Sequence, residues 1–376
     1  MNGRLIRVLH VIVDLEAGGA ERALVNLVTR NEAPDVEHHV LCLRLGGFYE
    51  GAVRKAGVPL HIAGGEGVRA LPGWIAAVRR AVAEIEPDVL QGWMYYANLV
   101  CHAALRFPWP RLRRRPKLVW GIRCSDMDLD RYPKNLRRAV RLGARWSGSV
   151  AAIVANSHAG RDVHVAAGYA AERFEVIPNG FDADAFRPDP SRRAAAREAL
   201  GEADDARFVA LTVARIDPMK DYDTLAAAAR TLPEVRFVAA GLETERLDGP
   251  ANLTGLGRRP DVDLLLQGAD CLVSSSAYGE GMSNAIGEAM ACGLPVVATD
   301  VGDAARMLAP GPDGEPAGLV VPPRDPAALA ESVRALADDP EGGRAMGAEG
   351  RRRVETVYSL AACDRHYAEL YRRVTA

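Results

Sequence analysis

Short apolar runs alternate with longer segments of helical periodicity along most of the chain. The short runs are rich in Val, Leu and Ile without strict alternation, which is typical of parallel strands covered on both faces. The strands predicted in the first half are residues 5–13, 39–45, 59–63, 89–93, 117–122, 150–156 and 174–177. Those predicted in the second half are residues 207–213, 236–240, 253–256, 271–274, 295–299 and 318–321.

Helical periodicity fills most of the intervals between these strands. The predicted helices are residues 20–29, 74–85, 97–106, 135–146, 159–167, 327–337, 342–357 and 360–374. Repeated βα units predict an α/β fold with doubly wound parallel sheets, which bind ligands beyond the carboxyl ends of their strands.

A domain boundary is expected near residues 178–190, where turn residues, aspartates and prolines lack periodicity and are typical of a linker. We therefore expect a Rossmann-like domain at residues 1–180 and a second at residues 181–355, with the two sheets facing a central cleft. The terminal helix at residues 356–376 is expected to pack back toward the first domain.

Composition narrows the class of protein. The chain has 376 residues, 48% of them apolar and 26% charged, as in soluble globular proteins. It has no apolar run of the roughly 18 residues that a membrane helix needs, no signal-peptide pattern at the N-terminus, and six cysteines without a Cys-x-x-Cys pair. These features predict a cytoplasmic protein without a structural zinc site or a disulfide framework.

Charge is unevenly divided between the two halves. Residues 1–180 carry 25 Lys and Arg against 17 Asp and Glu, whereas the rest of the chain is acidic. The first domain is therefore expected to tolerate an anionic partner. Its basic run at residues 111–117 lacks the interleaved aromatic residues of a nucleic-acid binder, so no nucleic-acid partner is predicted. A solvated basic face and peripheral contact with an anionic membrane both remain open.

The loop after the first predicted strand contains Gly18 and Gly19, directly before a helix. Glycine allows close backbone approach to a ligand, and a helix N-terminus presents N–H groups to an anion. An ordinary tight βα turn is the alternative. The loop lacks the Gly-x-Gly-x-x-Gly pattern of dinucleotide-binding enzymes, which argues against a nicotinamide enzyme.

The strongest local pattern is the segment of residues 274–295, in which a strand ends in serines and a glycine-bracketed Glu280 follows. Ser283 or Asn284 is predicted to cap the next helix, which carries Glu288. Two carboxylates beside a helix N-terminus suit a sugar attached to a phosphate, although each alone could be a solvated acid. Gly287 inside the helix indicates close approach of backbone or ligand.

Two cations flank a turn after the first strand of the second half. Arg215 and Lys220 lie on either side of Pro218, at a strand end and just before a helix. Such a pair can clamp a diphosphate, while two ordinary surface cations are the alternative.

Taken together, these segments resemble family-four retaining glycosyltransferases of the GT-B fold, in the group whose first loop reads Gly-Gly-Ala-Glu-Arg. The resemblance covers nearly the whole chain. The segments that carry it are residues 18–22, 93–98, 120–126, 155–157, 177–182, 214–220, 280–288, 295–302 and 318–323.

The resemblance implies roles for residues of the second domain. Glu280 would hold donor-sugar hydroxyls, Glu288 the ribose, and Arg215 and Lys220 the diphosphate leaving group. Met282, Ser283 and Asn284 would contact sugar and phosphates through their backbone. Arg258 or Arg259 would lie near the nucleotide base.

The resemblance places the acceptor side in the first domain. The residues expected there are Gly18, Gly19, Glu21, Tyr96, Arg123 and Asp126. Many family members carry histidines where this chain has Tyr96 and Arg123, so a histidine-based role has no support here.

The implied reaction is metal-independent transfer from a nucleotide sugar, with a UDP-sugar expected from family habit. The acceptor could be a saccharide, a lipid-linked saccharide or a small natural product. The acidic segment at residues 126–130 is followed by Arg131 where a calcium loop needs glycine and by Arg137 where it needs glutamate, so we expect no metal cofactor. Two other functions stay open: a nucleotide-sugar-binding protein without turnover, and a sugar-nucleotide epimerase.

Two histidine positions carry weaker expectations. His38 and His39 are expected at a solvated strand edge, and His10 is expected to pack within its strand.

Overall fold

Two parallel sheets organise the chain in the computed structural model, which describes residues 4–106, 114–125, 133–203, 206–310 and 314–376. Each sheet belongs to its own unit. Unit 1 comprises Met1–Gly180 together with Leu360–Ala376, and unit 2 comprises Phe181–Ser359.

Unit 1 is built on a seven-stranded parallel sheet. Its strands are β1 Ile6–Ile12, β2 Val36–Cys42, β3 Leu60–Ile62, β4 Val89–Trp93, β5 Lys117–Ile122, β6 Ala152–Ala155 and β7 Phe174–Val176. The spatial order is β3-β2-β1-β4-β5-β6-β7, so the order of the strands reverses between β1 and β4. Ligands of doubly wound sheets bind beyond the carboxyl ends of the strands at such a reversal.

Helices cover the sheet of unit 1. They are α1 Gly19–Arg30, α2 Glu50–Lys55, α3 Leu71–Ile85, α4 Met94–Arg106, α5 Lys134–Trp146 and α6 His158–Ala166, with α14 Leu360–Thr375 from the C-terminal part of the chain. Strands β1, β4, β5 and β6 are buried over nearly their whole length, as expected for a sheet covered on both faces. Tyr367 and Tyr371 of α14 lie in the same core as Val8 and Val89.

Unit 2 repeats the theme with six parallel strands. They are β8 Val209–Val213, β9 Arg236–Ala240, β10 Leu253–Gly255, β11 Cys271–Ser274, β12 Val296–Thr299 and β13 Gly318–Val321. The spatial order is β10-β9-β8-β11-β12-β13, which reverses between β8 and β11.

The helices of unit 2 alternate with these strands. They are α7 Arg193–Ala199, α8 Tyr222–Arg230, α9 Val262–Gly268, α10 Asn284–Ala291, α11 Ala304–Leu308, α12 Pro326–Asp338 and α13 Pro340–Thr356. The α/β class and the two Rossmann-like parallel sheets predicted from the sequence are therefore confirmed.

Two local predictions are wrong, those for His38 and Gly287. His38 lies in β2 between two neighbouring strands and is buried, rather than at a solvated edge. The expected linker at residues 178–190 includes Phe181, which is buried and pairs with Ser359 in an isolated bridge. Gly287 is approached by the ring of Phe181, which occupies the space that a Cβ would need.

Candidate functional site

The loops that follow β8 and β11 meet at the carboxyl edge of the unit 2 sheet. The two strands are neighbours and run parallel, with Ala210 opposite Cys271 and Leu211 opposite Leu272. The first loop leads into a 3-10 turn, Pro218–Lys220, and the second leads into α10. The order of strands reverses here, so this is where a doubly wound sheet binds its ligand.

A half-buried ion pair joins these two loops. The Lys220 ammonium donates to Glu280 Oε1, and both side chains are mostly shielded, with 17% and 14% of their surfaces exposed. Ser276 Oγ donates to the same carboxylate oxygen at 2.9 Å. Reduced solvent screening strengthens the attraction between these charges relative to a surface pair. The two residues singled out for opposite roles in the sequence are thus brought into direct contact.

Backbone contacts hold the two loops in register. The Ala277 N–H donates to Met219 O at 2.8 Å, and Ser275 Oγ donates to Lys220 O at 2.8 Å. These bonds fix the backbone on both sides of the ion pair, so its geometry is set by the loops rather than by side-chain flexibility alone.

A third loop supports Glu280 from the end of β12. Gly302 has a positive φ of 66°, and a Cβ there would meet the carbonyl oxygens of Glu280 and Gly281. The Asp303 N–H donates to Gly281 O at 2.9 Å. Only glycine satisfies both the backbone conformation and the close approach at this position.

Arg215 lies in the β8 loop and is more exposed than Lys220, at 56% of its side chain. Its guanidinium donates to Asp217 Oδ2 at 2.8 and 3.1 Å. Burial alone would raise the pKa of Asp217, but hydrogen bonds from the Met219 N–H and from Arg215 hold that pKa below its usual value. An ionised Asp217 therefore orients Arg215 at the loop in the absence of a ligand.

The N-terminus of α10 follows the Glu280 loop. Ser283 is the N-cap, with its side chain making no capping hydrogen bond, and Met282 beside it is buried. Asn284 and Glu288 lie one turn apart on the same face of the helix. Glu288 is only 5% exposed, so it is not the solvated acid that its sequence position alone allowed.

The two arginines expected near a nucleotide base lie farther along the same edge. Arg259 follows β10 and donates to both oxygens of Asp261 at 2.6 and 2.8 Å, while Arg258 is exposed. The hydrogen bond with Asp261 raises the pKa of Arg259. Strand β10 is two positions from β8 in the sheet, a separation of roughly 10 Å.

In unit 1, the loop after β1 ends at Gly18, the extended N-cap of α1, which begins at Gly19. The carboxylate of Glu21 folds back over Gly18 and occupies the space that a Cβ would need there. Burial raises the pKa of Glu21, against the lowering effect of its own backbone N–H; Asp14 adds to the rise and Arg123 opposes it. A Cβ at position 18 would therefore displace the Glu21 carboxylate from its present place.

Arg123 lies just after β5 and is held by three partners. Its Cζ lies 4.8 Å from the centroid of a Trp93 ring, and its guanidinium donates to Tyr367 Oη at 2.9 Å and to Asn179 Oδ1. Cation–π and charge-assisted hydrogen bonds together fix its orientation.

The structure places the other residues singled out in unit 1 in different surroundings. Tyr96, on the first turn of α4, is 41% exposed and lines a groove described below. Asp126 and the acidic segment 126–130 lie outside the described residues. His10 is buried, as expected: its Nε2 lies 2.9 Å from His38 Nδ1, and the Trp93 indole N–H donates to its Nδ1 at 3.1 Å.

Sequence reasoning missed the supporting residues of the unit 2 site. Asp217, Ser275 and Ser276 were not singled out, although each bonds directly to Arg215, Lys220 or Glu280. The sequence feature that could have identified them is the presence of serine and aspartate in the loops directly after buried strands.

The described residues form neither a metal-binding cluster nor a membrane-crossing helix. In the part of the chain that the structure describes, no three His, Cys, Asp or Glu side chains are grouped closely enough to hold a metal ion. No helix among those residues has the length and apolar character that a membrane crossing requires.

Curated relatives match parts of the chain. A D-inositol 3-phosphate glycosyltransferase from Kineococcus radiotolerans is 33% identical over 225 residues, which is 53% of this chain and 51% of that protein. The enzyme of the same name from Mycobacterium tuberculosis is 39% identical over 146 residues, 35% of this chain and 30% of that protein. The chain thus spans about half, or less, of the length of these relatives.

Solved structures match over nearly the whole chain. HepE from Anabaena in complex with UDP-glucose has a TM-score of 0.81 and 23% identity, over 98% of this chain and 100% of that one. Sucrose-phosphate synthase from Thermosynechococcus elongatus has a TM-score of 0.79 and 18% identity, over 98% of this chain and 99% of that one. At these identities the likeness shows the fold, which is GT-B.

The family comparison divides the chain as the structure does. The family described as Glycosyltransferase Family 4 matches residues 17–185. This range covers most of the contiguous part of unit 1 and ends shortly after the start of unit 2. The family described as Glycosyl transferases group 1 matches residues 193–353, within unit 2. The first half of the chain thus matches Glycosyltransferase Family 4 and the second half matches Glycosyl transferases group 1, and the two matches together support a glycosyltransferase of the GT4 type.

Proposed function

We propose that the protein transfers a sugar from a nucleotide-sugar donor to an acceptor hydroxyl, with retention at the anomeric carbon and without a metal ion. The observation that carries this proposal is the Lys220–Glu280 pair at the carboxyl edge of unit 2, beside Arg215 and the N-terminus of α10. This arrangement offers cationic and N–H groups for a diphosphate and a carboxylate for sugar hydroxyls.

The chemistry follows from where charge develops. The bond between the anomeric carbon and the diphosphate oxygen breaks, and its electron pair leaves with the diphosphate. Lys220, Arg215 and the α10 N-terminus stabilise that negative charge as it forms. The acceptor hydroxyl oxygen bonds to the anomeric carbon from the same face, and its proton passes to the departing phosphate oxygen.

Glu280 and Lys220 have linked roles in this scheme. Glu280 accepts hydrogen bonds from donor-sugar hydroxyls while its charge holds Lys220 at the site. Donor binding draws Arg215 from Asp217 toward the diphosphate, because a diphosphate carries more charge than one carboxylate. Glu288 binds the ribose from the same face of α10 as Asn284.

The donor is proposed to be a UDP-sugar. HepE, which shares the fold, has been solved with UDP-glucose bound, and that likeness motivates the choice of nucleotide. The Met282–Asn284 backbone contacts sugar and phosphates, and Arg258 or Arg259 lies beside the base.

The acceptor binds to unit 1. Gly18, Gly19 and Glu21 form its loop side, and the acceptor is a saccharide, a lipid-linked saccharide or a small polar molecule. The named activity of the curated relatives, on inositol 3-phosphate, makes an anionic cyclitol one acceptor to test. The basic surface of unit 1 supports a cytoplasmic enzyme that contacts anionic membranes peripherally.

Nucleotide binding is the first test. Thermal unfolding is measured with UDP, GDP, ADP and dTDP in metal-free buffer, where a ligand at 100 times its Kd adds about 2.7 kcal/mol of stability. A shift with UDP alone supports the proposal. A shift with another nucleotide corrects the donor, and no shift with any of the four argues against a nucleotide-sugar enzyme.

Turnover tests the assigned roles. Lys220→Met and Glu280→Gln are each expected to lower kcat by about 10²–10³-fold, the cost of losing one preorganised charge-stabilising group. Arg246→Met and Glu243→Gln are the matched controls, because those residues form an exposed ion pair in the same unit. Equal effects on both pairs would contradict the assignment.

Metal independence has its own test. Activity is expected to persist in EDTA, and a strict requirement for Mg²⁺ or Mn²⁺ would overturn this part of the proposal. The competing functions are distinguished by their reaction products. A nucleotide-sugar-binding protein binds the donor and forms no product from it. An epimerase converts the donor sugar in the absence of an acceptor.

A further inference from the structure

An apolar groove runs along three helices of unit 1, with a cavity volume of about 510 Å³. Each helix contributes one stripe at helical spacing. The stripes include Leu71 and Trp74 of α3, Tyr96 and Ala103 of α4, and Leu142 and Trp146 of α5. Helix α4 packs against both α3 and α5 and forms the floor. The volume lies within the roughly 300–1,000 Å³ of small-molecule sites.

The walls of the groove are fixed before any ligand binds. The Trp74 indole N–H donates to Gly64 O at 3.0 Å, which leaves the ring itself as apolar surface. The Trp146 ring stacks on His102 at a centroid distance of 4.7 Å and an interplanar angle of 8°, with Arg106 on it as well. A ligand therefore meets ordered rings and loses little affinity to reorganisation of the site.

Two more exposed apolar side chains follow the groove residue Arg44 in the chain. Leu45 and Phe48, after β2, are 78% and 64% exposed, and Leu71 of the groove lining is 40% exposed.

The charged side chains that line the groove, among the residues that the structure describes, are Arg44 and Arg138. Helix α5 carries five Lys or Arg and no Asp or Glu. Among the described residues, Arg44 Nε is shielded from solvent and lacks a hydrogen-bond partner, and Arg44 Nη1 lies 3.8 Å from Asp14 Oδ2. This combination complements an amphiphile with an anionic head.

The groove reaches the candidate acceptor loop of the same unit. Val13, which lines it, directly follows β1 and precedes the segment that leads to Gly18. Tyr96 brings the first turn of α4 to the same edge. A chain lying in the groove thus ends where the acceptor hydroxyl is proposed to bind.

We infer that the acceptor is a lipid: its hydrocarbon chain occupies the groove of α3, α4 and α5, and its anionic head group lies at Arg44 and Arg138. This inference rests on the proposed glycosyl transfer and narrows its acceptor to an anionic amphiphile.

A chain-length series tests the inference. Binding of hexyl, octyl and decyl phosphate, each as a monomer in solution, is measured by calorimetry with inorganic phosphate as the reference. Each added CH₂ that enters the groove is expected to tighten Kd about fourfold, equivalent to ~0.8 kcal/mol. Affinity that does not depend on chain length would overturn the inference and indicate a simple anion site.

Two variants locate the binding. Ala103→Phe fills the groove from α4, and Leu142→Gln places a polar group on its exposed rim. Each substitution is expected to raise the Kd for decyl phosphate by roughly fivefold or more. Leu5→Gln is the matched control, since Leu5 is similarly exposed but lies outside the groove. Unchanged affinity in both groove variants contradicts the inference.

The outcome separates this inference from the proposed function. A protein that binds UDP but not decyl phosphate has the donor site and a different acceptor class. Binding to phosphatidylglycerol vesicles is measured as well. A protein that binds the vesicles but not monomeric decyl phosphate would use the groove as a membrane contact, and this result would overturn the inference.

Discussion

The guanidinium of Arg123 lies over the indole of Trp93, with 4.8 Å between Cζ and the ring centroid. The same guanidinium donates to Tyr367 Oη at 2.9 Å, so one side chain connects the ends of β4 and β5 with α14. These contacts within unit 1 give Arg123 a structural role.

Replacing Arg123 tests this structural role. Arg123→Met is expected to destabilise unit 1 by about 1–3 kcal/mol, because it removes a cation–π contact and charged hydrogen bonds. Chemical denaturation gives the free energy of unfolding, and UDP binding to unit 2 should be retained. Arg80→Met, at an exposed position of α3, is the control, with an expected change within about 0.5 kcal/mol. Equal changes in both variants would contradict the role.

Acid should destabilise the protein through buried imidazoles. His164 accepts from Tyr95 Oη at 2.8 Å and its Nδ1–H donates to Gly160 O at 2.6 Å. Burial lowers the pKa of His164 to about 4, and the Gly160 bond opposes that shift only partly. Below pH 6.5 the unfolded chain binds a proton that the folded chain does not, so stability is full above pH 6.5 and falls as the pH drops toward 4.

The measurement is the unfolding free energy at pH 6.5 and at pH 5. The loss between these values should be smaller by about 1–2 kcal/mol in His164→Gln than in the wild type. Tyr95→Phe removes a hydrogen bond without removing a titrating group, so its loss should match the wild type. A His164→Gln slope equal to the wild-type slope would show that His164 does not provide this linkage.

Gly287 offers a test in which two physical effects have opposite signs. Helix propensity alone predicts that Gly287→Ala stabilises α10 by about 1 kcal/mol. The Phe181 ring already occupies the space for a Cβ, so we expect overpacking to dominate and the variant to be destabilised by about 1–3 kcal/mol. Gly73→Ala is the control, because Gly73 in α3 has open space at its Cβ and should be stabilised. Thermal melts of both variants decide the sign.

Gly302 connects backbone conformation to the candidate donor site. Gly302→Ala adds strain at positive φ and a clash with the carbonyls of Glu280 and Gly281, so we expect UDP-sugar turnover to fall more than tenfold. Gly57→Ala has a similar φ of 73° but nothing within 4 Å of the added Cβ. Gly57→Ala is the control, and backbone strain alone should lower its free energy of unfolding by about 1–3 kcal/mol. Its turnover should be unchanged. Normal turnover in Gly302→Ala would exclude a positioning role for this loop.

The strands were predictable because each is a short apolar run bounded by turn residues, and all thirteen predicted strands are present in the structure. The sequence pattern does not give the bounds of five helices, which are α2, α7, α8, α9 and α11. They have between 5 and 9 residues, too few turns to show a clear helical period.

The site was predictable in its parts rather than in its contacts. Lys220 and Glu280 could be selected from local patterns, but their pairing depends on β8 lying beside β11, which is a property of sheet order. The anchoring of Arg123 involves Tyr367, 244 positions away in the chain. The groove required three helices to be placed together, which no local pattern of the sequence indicates.

The membership of α14 in unit 1 has a consequence for synthesis. Translation proceeds toward the C-terminus, so the ribosome makes the whole of Phe181–Ser359 before Leu360–Thr375. Unit 2 is one contiguous segment and can complete its core while synthesis continues. Unit 1 must wait for Tyr367, Leu370 and Tyr371, so the first domain to be translated is the second to be completed.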